Sequence, residues 1–143
     1  MRIARIASVV AAFVAATLLV PAALAQGTCK NRGELDNLYC DDNGDLVADA
    51  PKDQKRWKNP STIVFTYTPV EDPAVYENIF KPFTDHLSKC IDKRVVFYQV
   101  QSNAAEIEAM RSGRLHVGGF STGPTAFAVN LAGAVPFAVK GYE

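Results

Sequence analysis

The sequence predicts an α/β domain built on parallel strands in the order β-α-β-α-β-α-β, preceded by a polar N-terminal extension. Three observations lead there. Beyond Ser61, short β-rich runs alternate with stretches of helical periodicity. The connections between them are short, which implies parallel strands joined by right-handed crossovers. The third β-rich run, Leu115 to Gly119, is nearly continuous in its apolar character, as expected for a strand buried on both faces of a parallel sheet.

The elements follow in order. In residues 1–25, Arg2 and Arg5 precede the apolar run Ile6 to Val20, which Pro21 and the small-residue site Ala23-Leu24-Ala25 close. This is the form of a cleavable secretory signal, and the apolar run is short for a membrane anchor. Export through such a signal implies an oxidising compartment. Three cysteines are present, so at least one lacks an intrachain partner. Cys29 and Cys40 are near neighbours in a polar segment, where a disulfide would close a short loop worth roughly 2–3 kcal/mol. Cys90 is left over on an apolar helix face, as a buried free thiol or bonded to a partner that this chain does not contain.

Residues 26–61 are rich in Asp, Asn, Lys and Pro and read as a largely irregular extension, with the domain proper over 62–143. Within the extension, Asp41, Asn43, Asp45 and Asp49 have the spacing of oxygen ligands in a calcium loop, with Val47 able to offer a carbonyl. The glycine falls at the fourth loop position, not the sixth, and no glutamate closes the loop. An Asx-rich turn is therefore the preferred reading and calcium the alternative.

Thr62 to Tyr67 is the first strand by composition. Asp72-Pro73 starts a helix, with a carboxylate at the N-cap and a proline where its missing N–H costs nothing. That helix aligns Val75, Ile79, Phe83, Leu87 and Cys90 or Ile91 in one stripe, and Pro82 is expected to kink it. Arg94 to Val100 is the second strand. Asn103 and Glu106 suggest a capping box for a short helix that ends at Ser112-Gly113. Ser121-Thr122-Gly123-Pro124 opens the third helix, and Val135 to Val139 offers a fourth strand. Removing the signal subtracts two of fifteen basic residues and none of fifteen acidic ones, so nothing in the charge attracts nucleic acid.

Ligands of open α/β sheets bind beyond the carboxyl ends of the strands, here Tyr67-Thr68, Gln99 to Asn103, and Phe120-Ser121-Thr122. The last of these supports two chemistries. Gly119-Phe120-Ser121-Thr122-Gly123 fits the GxSxG pattern of a serine hydrolase, but neither Asp nor His follows Ser121 to complete a triad in the order of that fold. The same residues form a hydroxyl-rich helix N-terminus suited to an anion, with Ser121 and Thr122 as donors and Gly123 allowing close backbone approach. Simple helix capping by Ser121 and Thr122 is the plainer alternative.

From Thr62 onward the chain resembles the first lobe of the phosphate/phosphite/phosphonate-binding proteins of ABC importers. The strand VFTYTP, the helix containing KPFTDHL, the segment EAMRSGRLHV and the hydroxyl-bearing loop follow one another in that family's order. The resemblance implies a type II periplasmic-binding-protein fold of two lobes, of which residues 62–143 would be a partial first lobe in a fragment or truncated product. It further implies a periplasmic, non-enzymatic solute receptor with a small oxyanion as ligand and an ABC permease as partner. Ser121, Thr122 and Gly123 would clamp the anion, and Tyr67 or Thr68 would form the first binding loop. Asn103 stands where related proteins can have a ligand-facing tyrosine, and His116 where an aspartate often sits. No cofactor is implied apart from the calcium alternative. A secreted serine hydrolase and a calcium-stabilised extracellular module stand as the other functional readings.

Overall fold

The computed structural model describes residues 29–69 and 73–141; the expected signal, 1–25, and the expected helix cap Asp72 lie outside the described residues. After a 3-10 turn at Gln54–Arg56 come β1 (Thr62–Tyr67), α1 (Pro73–Ile91), β2 (Arg94–Phe97), α2 (Asn103–Arg111), β3 (Val117–Gly119) and α3 (Thr122–Ala132). The three strands form one parallel sheet in the order β2-β1-β3. Thr62 pairs with Arg94 and Phe65 with Phe97 on one side of β1, and Phe65 with Val117 and Tyr67 with Gly119 on the other.

Alternation along β1 sends its side chains to two different layers. Phe65 and Tyr67 face α1, where Phe80 lies 5.3 Å from the Phe65 ring and 5.1 Å from the Tyr67 ring, and Phe97 stacks on Phe80. Thr66 and Thr68 face the opposite side, toward α2, and both are buried. A second apolar cluster joins α2 to α3 through Ile107, Ala128 and Ala132, with Met110, Phe120 and Ala134 against it.

Several expectations are corrected. Residues 135–139 form no strand: they have no ladder partner, Pro136 lacks an N–H, and Val135, Phe137 and Val139 are exposed. The packed stripe of α1 is centred on Tyr76, Phe80 and Thr84, with Phe83 of the expected stripe also against the Phe65 ring at 5.0 Å, while Val75, Ile79 and Ile91 face outward. The physical reason is area, since the rings at 76 and 80 bury more surface against Phe65 and Tyr67 than Val75 and Ile79 would. Cys90 therefore lies on the outer side of α1, exposed and unbridged, with its Sγ 3.4 Å from His86 Nε2. The helix continues through Pro82.

β2 stops at Phe97, not Val100. The Tyr98 amide still donates to Phe65, but the Tyr98 carbonyl accepts from the Thr66 hydroxyl at 2.5 Å, and the ladder ends there. β3 is an edge strand of three residues, half-buried throughout, so it is shorter and less enclosed than its composition suggests. The cap of α2 is Ser102, whose Oγ accepts from Ala105 N at 3.1 Å; Asn103 is already helical and Glu106 points inward, so the expected capping box does not form. An N-cap needs extended backbone, which Ser102 has at φ −163° and ψ 160°.

The extension is irregular apart from its 3-10 turn and is tied to the lobe. Cys29 and Cys40 are disulfide-bonded with their Cα atoms 5.3 Å apart. The Asp36 amide donates to the Asn130 carbonyl at 2.7 Å near the end of α3, and the Asp36 carboxylate meets Arg111 of α2 at 3.2 Å. Tyr39 lies against Gly133, where a Cβ would sit 2.6 Å from the ring. Gly133 also has φ 63°, so the α3 terminus requires glycine on both counts.

Candidate functional site

The strand order β2-β1-β3, with α1 and α2 on opposite faces, makes the β1/β3 boundary the point where the winding reverses. At such a boundary the loops leaving adjacent strands diverge and leave a crevice at the carboxyl edge. Thr68, just past β1, and Ser121, just past β3, meet there. The Thr68 amide donates to the Gly119 carbonyl at 2.7 Å, and the Ser121 amide donates to Thr68 Oγ1 at 3.1 Å.

The start of α3 leaves a small, defined set of free donors. A helix has four amides at its N-terminus without intrahelical partners. Here the Ser121 amide is taken by Thr68, and Pro124 has none. The amides of Thr122 and Gly123 remain. Ser121 is the N-cap, yet its side chain makes no capping bond, so its exposed hydroxyl is uncommitted. Gly123 has open space where a Cβ would stand, so its amide can be approached closely.

Beneath this loop lies Glu106, fully excluded from solvent. The Thr68 hydroxyl donates to its Oε2 over a long 3.5 Å, and its Oε1 has no partner. Burial pushes the carboxyl up from 4.5 to about 7, with the Thr68 hydroxyl opposing this more weakly. Sequence reasoning assigned Glu106 to a helix cap. The available signal was its spacing from Ala109 and Met110, which puts it on their face of α2.

The other expected residues fall in different places. Tyr67 belongs to the aromatic layer on the α1 face, its ring against Gly119, where a Cβ would come within 2.4 Å. Asn103, at the start of α2, has a buried Oδ1 without a partner and shares with Gly123 the rim of a hollow of about 450 Å³ between α2 and α3. Thr68 and Ser121 are thus in direct contact, Asn103 and Gly123 flank one hollow, and Tyr67 faces away from Thr68. His116 has a backbone-bracing place: its Nδ1 accepts from Val64 N and its amide donates to Val64 O, each at 3.0 Å.

The geometry of a nucleophile elbow is missing. Such an elbow holds its serine in a strained turn, whereas Ser121 has ordinary extended backbone at φ −73° and ψ 166°. Among the described residues no histidine or carboxylate is hydrogen-bonded to the Ser121 hydroxyl. In the extension, Asp41 Oδ1 accepts from the amides of Gly44 and Asp45 and its Oδ2 from Leu46, while Asp49 accepts from Asp42 N. Asn43 and Asp45 cap the turn in the same way, through the amides of Asp45 and Val47. Among the described residues no three His, Cys, Asp or Glu side chains converge as a metal site would require.

The fold is a parallel α/β lobe with uncommitted donors at its switch point, the place where open α/β sheets bind their ligands. Residues 65–142 match the family described as ABC transporter, phosphonate, periplasmic substrate-binding protein. This is more than half of the chain, and the chain belongs to that family, which is a transport family and not an enzyme family. The resemblance and the partial α/β lobe expected from the sequence hold over these residues. No curated protein and no solved structure matches the chain.

Proposed function

We propose that this chain is the solute-binding component of an ABC importer for phosphonate or a closely related tetrahedral oxyanion such as phosphite or phosphate, held at the N-terminus of α3. The amides of Thr122 and Gly123 and the hydroxyls of Ser121 and Thr122 donate to the anion, while the positive end of the helix dipole adds to the attraction. Hydrogen bonds to a charged ligand contribute about 1.5–3 kcal/mol each, so a few of them suffice for selective capture. The protein works in the periplasm, delivered there by the signal at residues 1–25, and hands its ligand to a membrane permease.

The observation that carries this reading is the uncommitted state of the Ser121 side chain and the Thr122 and Gly123 amides at the β1/β3 switch point. It is tested by calorimetry and thermal unfolding with methylphosphonate. Wild type gains melting temperature, and Ser121→Ala combined with Thr122→Ala lowers affinity on the order of 10²-fold or more. A double variant that binds as tightly as wild type refutes the site.

A further inference from the structure

A second layer of the site lies one hydrogen bond below the loop. Glu106 reaches the loop through Thr68, whose hydroxyl donates to Glu106 Oε2 and accepts from the Ser121 amide. Gly118 allows this approach, since a Cβ there would stand 3.2 Å from Glu106 Oε1 and 2.6 Å from the Phe120 ring. The carboxyl is thus buried against Thr68 and Gly118, with Oε1 left unpartnered.

An ionised carboxylate offers about four acceptor positions and needs most of them filled when buried. Here it has one donor at 3.5 Å, well beyond the usual length of an O–H···O bond. Nor, among the described residues, does a cation compensate it. Just past β1 it meets the hydroxyl of Thr68, and from β3 it meets Gly118, beside which the Phe120 ring lies, and none of these titrates. On its own helix, Glu108 and Arg111 are partly exposed and paired with each other, and Arg111 also with Asp36. Every such feature favours the neutral acid.

We propose that Glu106 is a positioning residue of the anion-binding loop: acting through the Thr68 hydroxyl, it seats the Ser121 amide, and it must hold its proton when an anion occupies the start of α3. The inference rests on the function proposed above. An anion at Thr122 and Gly123 lies beyond the Thr68 and Ser121 links from Glu106, about 10 Å away, where an ionised carboxylate at an effective dielectric of about 20 weakens capture roughly tenfold. Burial places the carboxyl's titration at about 7, inside the range where a periplasmic receptor works. Ligand capture is then coupled to proton retention, so a more acidic surrounding favours loading. The coupling belongs to this chain's own buried acid and is separate from titration of the ligand.

The test compares wild type with Glu106→Gln, which stays neutral at every pH, using methylphosphonate across a pH series on the full chain. Because both proteins see the same ligand, its own ionisation cancels in the ratio of their dissociation constants. The expected ratio, wild type over variant, is level at acid pH and rises about tenfold as pH passes through the titration of Glu106. Calorimetry in two buffers of different ionisation heat should also show extra proton uptake by wild type over the pH range in which this ratio rises. Glu106→Met serves the same comparison if the glutamine variant does not fold, because it too is uncharged and suits a dry site. A ratio that does not change with pH overturns the inference while leaving the proposed function standing. Failure of wild type to bind at any pH overturns both.

Discussion

Replacing Glu106 by Gln changes how stability depends on pH, and the size of the change follows from the structure. Burial moves this carboxyl from 4.5 to about 7, so the folded protein holds the proton more tightly than the unfolded chain does. As pH rises, the unfolded chain releases its proton first. Full stability is therefore present below about 4.5 and is lost progressively until Glu106 ionises in the folded state near 7, above which the loss is complete. The difference between those two values corresponds to roughly 3 kcal/mol, a large share of the stability of a small domain. Glutamine has no proton to lose and still accepts from the Thr68 hydroxyl.

The measurement is urea unfolding followed by circular dichroism, with the disulfide intact, from about pH 4 to about pH 8. Other carboxylates titrate equally in both proteins, so the difference between the two stability curves isolates position 106. That difference should move by roughly 3 kcal/mol in favour of the variant between the acid and alkaline ends. Whatever fixed cost the amide carries, through donors left unpaired in the same enclosure, shifts the variant's curve without changing this slope. Curves that run parallel across the whole range would show that Glu106 is not buried as a neutral acid, and the pH-coupled seating of Ser121 would fall with it.

Two further outcomes are expected. Gly119→Ala places a Cβ within 2.4 Å of the Tyr67 ring, so denaturant unfolding should show a loss of about 1–3 kcal/mol from overpacking. Asp41→Ala removes the buried acceptor of three backbone amides, those of Gly44, Asp45 and Leu46, and should cost about 2–3 kcal/mol in the same assay. A loss well below that would mean the turn does not depend on its carboxylate.

Hydrolase and receptor share the string Gly119 to Gly123 but differ in what the backbone does there. Relaxed backbone at Ser121, a hydroxyl with no histidine or carboxylate bonded to it among the described residues, and two free amides ahead of Pro124 suit a group that holds a ligand. The same comparison explains Thr68. It is one of two candidate residues after β1, and alternation along the strand decides between them, since Tyr67 goes to the aromatic layer and Thr68 to the loop of α3.

Three strands, three helices and their order were legible in the sequence, because hydrophobic period, turn residues and a proline at a helix start are properties of neighbours along the chain. The sequence also showed that hydroxyls and glycine cluster where a strand hands over to α3. The tertiary structure decided what depends on contacts between distant segments. Which side of α1 faces the sheet was settled by the match of Tyr76, Phe80 and Phe83 to Phe65 and Tyr67, since helical spacing also fits a stripe through Val75 and Ile79. Whether residues 135–139 form a strand depends on a pairing neighbour, and composition carries no information about that neighbour. Glu106 shows the same limit most clearly. A glutamate early in a helix reads as a solvent-facing cap, and only the approach of Thr68 from β1 and Gly118 from β3 encloses it beneath the loop that ends at Ser121.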